Sequence, residues 1–303
     1  MADEKLHKVI ARAGFCSRRE AERWIKDGRI SVNGKLASLG DRVKEEDKIR
    51  VDGVAIHDDA IKKNKVRIIM YNKPEGEVCT RKDPENRATV FDSLPKIYHS
   101  RWVQIGRLDT NTSGLLLFTN DGELANRLMH PSSEIEREYA VRVFGEVTDE
   151  MKKRLRKGVQ LDDGPASFHK IVDAGGEGMN HWYHVSLSEG RNREVRRLWE
   201  SQNGIKVSRL IRLRYGVCNL DRELPRGRWK YLTSAEIKAI MQSVDYKAEI
   251  AEDKNSPGKR TIKSRYVSQD TAAKSKRSTK KTNERHVATK HRQAPQNRRG
   301  RTR

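Results

Sequence analysis

Residues 105–118 place the strongest constraint on the fold, because a polar, turn-forming segment with one carboxylate leads directly into an apolar run of strand length. The segment reads IGRLDTNTSGLLLF. Asp, Asn, Thr, Ser and Gly favour turns, whereas a short apolar run between turn signals favours a buried strand. We therefore expect Asp109 to lie on a loop whose far end is anchored in a core. An aspartate at such a position most often caps its own turn, so any further role for Asp109 depends on the rest of the chain.

Charge is distributed unevenly along the chain. The 303 residues carry a formal net charge of +22. Residues 251–303 hold 17 Lys and Arg against 4 Asp and Glu, so a moderately basic body is followed by a strongly basic tail. Neutralised phosphates release counterions, and a positive charge of this size therefore predicts a polyanionic partner. Nucleic acid is the first candidate and a membrane surface the second.

Three further observations narrow the class of protein. No apolar run approaches the roughly 18 residues that span a bilayer, and residues 1–8 lack the apolar core of a secretory signal. The cysteines Cys16, Cys79 and Cys218 lie far apart and form no CxxC pair, unlike a disulfide framework or a zinc site. We therefore expect a cytoplasmic protein that has no membrane segment and needs no metal or cofactor.

The start of the chain has the pattern of a small separate module. Apolar residues recur at helical spacing, at Leu6, Val9, Ile10 and Ala13. Ser17 and Glu20 then form a capping-box signature that opens a second helix. Strand patterns follow at 29–32 and 48–51, and Asn33-Gly34 is a strong signal for a hairpin turn.

This order of elements resembles the S4 RNA-binding module. The resemblance rests on residues 8–14, 17–21 and 28–34, which read KVIARAG, SRREA and GRISVNG. It implies binding of structured RNA, mainly through shape and phosphate contacts, by the helix that carries the arginines. The candidate contacts are Arg18, Arg19 and Arg23. The alternative for these three side chains is an ordinary solvated helix face, which a run of charges usually forms.

The central part of the chain alternates strand patterns with helices. Strands are predicted at 66–71, 115–118, 138–144 and 183–187. Helices are predicted at 122–130, with Asp121 as N-cap, and around 195–199. The apolar face of the first of these helices would consist of Leu124, Leu128 and Met129. Since no βαβ rhythm is present, the fold class is α+β with a mixed or antiparallel sheet.

Composition indicates three consecutive parts. The N-terminal module would occupy residues 1–60, and the polar residues 57–66 would link it to the next part. The α+β domain would occupy residues 66–245. Apolar residues nearly vanish after Asp245, which predicts a disordered basic tail over 246–303.

Three separated segments of the α+β domain stand out together, at 106–109, 137–139 and 189–198. With the Lys-Pro-Glu-Gly turn at 73–76, their order resembles that of the S4-domain-containing ribosomal RNA pseudouridine synthases. The supporting motifs are GRLD-x-x-TSGLLL, LANRL, EYAV and EGRNREVRR. The likeness is strongest to the B-type members that act on the large subunit, through residues 130–133, 160–165 and 224–227.

The resemblance implies a role for each matching residue. Asp109 matches the aspartate that starts cleavage of the uridine N1–C1′ bond, after which the freed base turns and C5 bonds to C1′. Tyr139 matches the tyrosine that stacks on the uracil and is positioned to take the C5 proton. Arg196 matches a basic residue paired with the aspartate, and Val195 an apolar residue beneath the base. Arg107 matches a residue that fills the stack left by the extruded nucleotide.

The remaining candidate RNA contacts in this domain are Arg191 and Arg193. The resemblance further implies that the substrate is 23S ribosomal RNA, in a structured stem-loop near the peptidyl transferase region, and that the enzyme is a monomer. Extruding a base costs a few kcal/mol, and holding the detached uracil makes its second bond effectively intramolecular. No redox step or activated group is required. Whether Asp109 attacks C1′ or takes a C2′ proton stays open.

Three alternatives remain at this point. A hydrolytic N-glycosidase would also place Asp109 near a ribose, but glycoside hydrolysis commonly uses two carboxylates, and only Asp121 and Glu189 are at hand in nearby motifs. A non-catalytic RNA-binding assembly factor would need only the module and the tail. A sibling synthase would share the catalytic motifs and act on another ribosomal RNA uridine.

Overall fold

A computed structural model describes residues 3–56 and 65–251, and the first of these ranges forms a small module with its own apolar cluster. Its helices are α1 (Leu6–Arg12) and α2 (Arg18–Lys26). Its strands are β1 (Glu4–Lys5), β2 (Ile30–Val32), β3 (Lys35–Leu36), β4 (Arg42–Val43), β5 (Ile49–Val51) and β6 (Val54–Ala55). Strand β1 pairs with β4, and the others form a sheet in the order β3-β2-β5-β6.

The helix cap and the hairpin turn of the module form at the residues that the sequence predicts. The Ser17 Oγ accepts a hydrogen bond of 3.1 Å from the Glu20 N–H, so α2 begins at the expected cap. Asn33 and Gly34 have φ angles of 52° and 83°, the left-handed conformation that a two-residue hairpin turn requires. This turn joins β2 to β3.

The second described range is built on a nine-stranded sheet. Its strands are β7 (Ile68–Lys73), β8 (Val103–Ile105), β9 (Ser113–Thr119), β10 (Arg137–Phe144), β13 (Lys170–Glu177), β14 (Asn180–Leu187), β15 (Lys206–Tyr215), β16 (Cys218–Asn219) and β17 (Trp229–Tyr231). A separate hairpin consists of β11 (Val159–Leu161) and β12 (Gly164–Ala166). The main path is β13-β14-β10-β15-β9-β7-β17, in which β15 and β9 run parallel and the other neighbours antiparallel. The sheet is therefore mixed, which confirms the predicted α+β class.

Helices cover both faces of this sheet. They are α3 (Gly122–Met129), α4 (Asp149–Lys157), α5 (Glu194–Glu200) and α6 (Ser234–Gln242). Leu116 and Phe118 of β9 pack in one apolar cluster with α4 and α5, whereas Leu115 and Leu117 pack in a second cluster with α3 and α6. Burial on both faces explains why this strand reads as a continuous apolar run. None of the helices in the described ranges has the length and apolarity that crossing a membrane requires.

Two details differ from the sequence-based expectations. Met129 is exposed rather than part of the apolar face of α3, because it is the last residue of that helix and lies at the edge of a cleft. Ordered packing also continues past Asp245: the Tyr246 hydroxyl donates to the Asp121 carboxylate at 2.7 Å, and the Ala251 N–H donates to the Val66 carbonyl at 3.0 Å. Residues 57–64 of the predicted linker (57–66) and residues 252–303 of the predicted tail (246–303) lie outside the described residues.

Candidate active site

A cleft of about 1020 Å³ opens beside β9, β10 and β15, which are neighbours in the sheet. All three segments that stood out in the sequence contribute to its lining. The candidate residues that line it are Arg107, Asp109, Tyr139, Arg191, Arg193 and Val195. The fold thus brings together side chains that lie far apart in the chain.

The strand register explains how these side chains meet. Tyr139 of β10 lies opposite Arg212 of β15, and Arg212 lies beside Gly114, where β9 begins after the Asp109 loop. The register between β10 and β15 shifts between Glu138 and Tyr139, a bulge of the kind that redirects side chains next to active sites. A Cβ added at Gly114 would lie 2.3 Å from the Arg212 carbonyl oxygen, so only glycine permits this approach of the two strands.

The Asp109 loop is held by its backbone carbonyl groups. The Lys73 Nζ donates to the carbonyl oxygens of Thr112 at 2.9 Å and of Asp109 at 3.2 Å, and it also contacts the Thr110 carbonyl at 3.5 Å. The Arg196 Nη2 donates to the carbonyl of Asn111 at 2.9 Å. Two cations from distant elements therefore bind the four consecutive carbonyls of one turn.

Lys73 is fully buried, with 0% of its surface exposed, at the end of β7. Burial lowers the pKa of its ammonium group, while nearby acidic groups, including Asp109, oppose that shift. A buried ammonium group is tolerated only when its donors are satisfied, and here carbonyl oxygens satisfy them. The sequence indicated only a turn at 73–76, so this cation at the base of the loop was not predicted.

Arg196 does not form the direct pair with Asp109 that the resemblance implied. Its Nη1 donates to the Val207 carbonyl at 2.8 Å and its Nη2 to the Asn111 carbonyl, and these two bonds direct the guanidinium at the loop backbone. Burial lowers the pKa of Arg196, and the charge of Asp109 acts in the opposite direction. Arg196 thus positions the loop and contributes a positive field at Asp109 without an ion pair.

The Asp109 carboxylate is half-buried and lines the cleft. Among residues 3–56 and 65–251, no hydrogen bond or ion pair within 4.0 Å engages it, although its backbone is held tightly. Tyr139 and Val195 are buried in the apolar cluster beneath the cleft and also line it. The site therefore presents a free carboxylate above an apolar floor that suits a planar base.

The predicted RNA-binding arginines fall into two groups. Arg107 and Arg193 are exposed at the cleft, and Arg193 makes only a long contact of 3.5 Å with the Asn111 side chain. Arg191 is tied instead to protein carboxylates, with an ion pair of 2.7 Å to Glu189 and one of 3.1 Å to Asp163. These carboxylates hold Arg191 in the wall of the cleft, so its guanidinium is not free to bind a phosphate.

The arginines of the N-terminal module lie on the outside of α2. Arg18, Arg19 and Arg23 are all exposed, and none of them lines the cleft. Arg23 forms an ion pair of 3.0 Å with Glu20 on the same helix. The structure thus leaves these side chains available to a partner at a surface separate from the cleft.

Arg212 is a residue of the cleft that the sequence reading missed. Only 2% of it is exposed, and its Nε donates to the Leu115 carbonyl at 2.8 Å. Its Nη2 is buried and has no hydrogen-bond partner in the part of the chain that the structure describes. Arg212 lies on the same face of β15 as Leu210, which also lines the cleft. In a strand, side chains two residues apart share a face, so an arginine two residues after a buried leucine could have indicated this position in the sequence.

The other carboxylates at the cleft are engaged. Glu189 pairs with Arg191, and burial raises the pKa of Glu194, which accepts from the Arg191 N–H at 3.0 Å. Asp83 binds the Arg87 guanidinium at 2.8 Å, and these hydrogen bonds lower the pKa of Asp83 to about 2. Among the described residues that line the cleft, Asp109 is therefore the carboxylate without a partner, and no second free one, as a hydrolytic pair would need, lies beside it.

Comparison with known sequences and structures gives the family of the chain. The sequence model of the RNA pseudouridylate synthase family matches residues 67–201, and that of the S4 domain matches residues 4–49. A crystal structure of a pseudouridylate synthase superposes with a TM-score of 0.54 at 26% identity, covering 78% of this chain and 99% of that one.

Curated relatives are more similar still. The Ribosomal large subunit pseudouridine synthase B of Haemophilus influenzae is 60% identical over 248 residues, 81% of this chain and 69% of that protein. The protein of the same name from Yersinia pestis is 61% identical over 78% of this chain and 74% of its own length. That of Escherichia coli (strain K12) is 58% identical over 81% of this chain and 85% of its own length. The chain therefore belongs to the RNA pseudouridylate synthase family and is an enzyme of that family in which an S4 domain precedes the catalytic domain.

Proposed function

We propose that the enzyme converts a specific uridine of 23S ribosomal RNA, in a structured stem-loop, to pseudouridine. The observation that carries the proposal is the Asp109 carboxylate, which is held by its backbone and free of protein partners above Tyr139 and Val195. The large-subunit substrate is supported by relatives about 60% identical that are named for it. The exposed arginines of the module and the basic composition fit an RNA partner.

The chemistry divides into the breaking of one bond and the formation of another. Asp109 starts cleavage of the N1–C1′ bond, either by attack at C1′ or by removal of the C2′ proton, and uracil leaves with the bonding electrons. The base turns on the floor formed by Tyr139 and Val195. Its C5 then bonds to C1′: in the first route this displaces the Asp109 carboxylate from C1′, and in the second Asp109 returns its proton to C2′. The C5 proton then leaves toward Tyr139 and N1 gains a proton, so that substrate and product have the same composition.

The residues around the loop position this chemistry. Lys73 and Arg196 hold the turn so that the Asp109 carboxylate faces the bound ribose, and preorganisation of this kind lowers the cost of reaching the reactive geometry. Arg107 and Arg193 lie at the mouth of the cleft, where they would bind the phosphates next to the extruded nucleotide. Arg107 would also fill the space that this nucleotide leaves in the base stack. We also propose that the enzyme is a monomer that acts in the cytoplasm.

Product analysis tests the proposal directly. Incubation with 23S ribosomal RNA should create one new carbodiimide-dependent stop in primer extension, at a uridine, while the mass of the digested RNA fragment stays unchanged. Release of free uracil with loss of mass would instead identify a hydrolase. Binding without either change would leave only the assembly-factor alternative, and a stop in another ribosomal RNA would identify a sibling specificity.

We also propose that Arg212 stabilises the bound nucleotide through the positive charge of its buried guanidinium, which lies at the lining of the cleft. Arg212→Met should lower kcat/KM by about 10²-fold, because a preorganised charge next to the bound nucleotide is removed. It should also lower stability by about 1–3 kcal/mol, because the Leu115 carbonyl loses its donor. Arg212→Lys, which keeps the charge, should recover part of the activity. A loss of thermal stability with unchanged kcat/KM at low temperature would show that Arg212 only supports the strand.

A further inference from the structure

The N-terminal module meets the catalytic domain at the loop over residues 74–102, which joins β7 to β8. The contact is close at one point: a Cβ added at Gly14 would lie 2.6 Å from the Ser100 carbonyl oxygen, and Gly14 has a φ angle of 89°. Arg18, the first residue of α2, lies beside Gly122 at the start of α3. The first turn of α2 therefore lies against the catalytic domain.

Three arginines lie on these elements. Arg18 is at the start of α2, Arg101 directly follows Ser100, and Arg81 donates to the carbonyl of Trp102, the residue after Arg101. Burial lowers the pKa of Arg81, and the charge of Arg101 lowers it further. Burial likewise lowers the pKa of Arg101, and Arg18 adds to that effect. Within residues 3–56 and 65–251, no ion pair within 4.0 Å neutralises any of the three. A group of mutually repelling guanidinium groups is stabilised when an anion binds between them.

One of these guanidinium groups is already held in place. Arg81 stacks over the Phe91 ring with its Cζ 4.2 Å from the ring centroid, and its Nη2 donates to the Trp102 carbonyl. The preceding residue, Thr80, lines the active-site cleft. The arginines therefore extend from the rim of the cleft, through the loop, to the start of the S4 helix.

Two exposed aromatic rings flank the same contact. Phe15 follows Gly14 directly and is 48% exposed, and Tyr98 precedes Ser100 by two residues and is 82% exposed. Aromatic rings next to arginines are the combination that binds unpaired nucleotides, by stacking on bases and neutralising phosphates.

We infer that Phe15, Arg18, Arg81, Tyr98 and Arg101 form a junction surface that binds unpaired nucleotides of the substrate RNA between its S4-bound helix and the flipped uridine. The inference rests on the proposed function, since it requires an RNA that occupies the module and the cleft together. Each arginine contacts a phosphate, and the two aromatic rings supply stacking faces. The surface would set the distance between the recognised helix and the reacting nucleotide.

Two variants of the full chain test this surface. Arg81→Gln/Arg101→Gln removes two phosphate ligands. Tyr98→Ser removes a ring that is 82% exposed, so the fold should be kept. The charge-matched control is Lys153→Gln/Arg156→Gln, which removes two exposed cations of α4 away from the cleft and the junction. The probe is a fragment of 23S ribosomal RNA that holds a stem-loop with its flanking single strands, and dissociation constants are measured across a series of salt concentrations.

The double arginine variant should raise the dissociation constant at least tenfold and reduce the slope of log K against log salt by about 1.4, as expected for two phosphate contacts to a single strand. Tyr98→Ser should raise the dissociation constant about tenfold with the slope unchanged, because stacking is lost and not charge. The control should change neither quantity by a comparable amount. Equal effects in control and junction variants, or wild-type binding by both junction variants, would overturn the inference.

Binding is measured separately from chemistry, so the two proposals fail in different ways. If the wild-type enzyme binds this RNA through the junction but forms no pseudouridine in it, the junction surface stands and the proposed substrate is wrong. If pseudouridine forms normally and the junction variants bind like the wild type, the proposed function stands and the junction surface is wrong.

Discussion

Asp109→Asn is expected to reduce pseudouridine formation by about 10³-fold or more, the scale seen when a residue that acts on the reacting bond is removed. The amide has nearly the same shape but can neither attack C1′ nor accept the C2′ proton. Since the carboxylate has no partner within the described residues, its replacement should leave the turn and the Lys73 contacts intact. Single-turnover assays with saturating RNA would measure the rate, and RNA affinity should stay close to that of the wild type.

The matched control is Asp173→Asn, an aspartate of β13 outside the cleft whose carboxylate accepts only from the Gly175 N–H. It should keep full activity. Retention of most activity by Asp109→Asn would remove Asp109 from the mechanism and reopen the assignment of the site. Loss of RNA binding together with activity would show that the carboxylate supports the cleft rather than the reaction.

Lys73→Met is expected to lower both stability and turnover, because it withdraws one buried donor from several carbonyl groups at once. Each buried acceptor left without a partner costs about 1–3 kcal/mol, and two of the lost bonds, to Pro74 and Thr112, are 2.9 Å long. The free energy of unfolding should therefore fall by roughly 3 kcal/mol or more. Since displacement of a reacting group by about 1 Å can cost 10²-fold in rate, turnover should fall by a similar factor.

Thermal unfolding gives the stability of this variant, and single-turnover assays well below its midpoint give the rate of the folded enzyme. Lys230→Met serves as the control, since its ammonium pairs with Asp221 at 2.6 Å on the partly exposed β17. That change should cost about 1 kcal/mol or less and leave turnover unchanged. A destabilised Lys73→Met enzyme with full turnover would mean that Lys73 supports the fold and that the Asp109 loop holds its shape without it.

The features that could be predicted from the sequence are those that depend on residues close together in the chain. The turn that holds Asp109 and the buried strand after it both follow from local turn chemistry and an apolar run. The hairpin at Asn33-Gly34 and the caps at Ser17 and Asp121 do so too. In the predicted strand at 138–144, Tyr139, Val141 and Val143 alternate with other residues, and all three lie in one buried cluster. The roles of Asp109 and Tyr139 came from ordered motifs shared with a family, not from periodicity.

The missed part of the site depends on pairing between distant strands. Arg212 enters the cleft only because β15 lies parallel to β9 about a hundred residues away in the chain, with Gly114 at the crossing. Arg191 and Arg193 look alike in sequence, yet Asp163 from a separate hairpin engages only the first. The helices α4 and α6 were also not predicted, although Thr148 and Thr233 cap them.

By itself, the sequence determined several of the strands and helices, which loop carries the carboxylate, and that the partner is an anion. These properties follow from backbone preference, apolar spacing and net charge, all of which act over a few residues or over the whole chain. Only the tertiary structure decided that Arg196 binds the loop backbone instead of Asp109, and that Lys73 lies beneath the same turn. A buried cation binds whichever acceptors the fold brings within about 3 Å of it. The spacing of residues in the sequence does not give these distances, so the partner cannot be predicted from it.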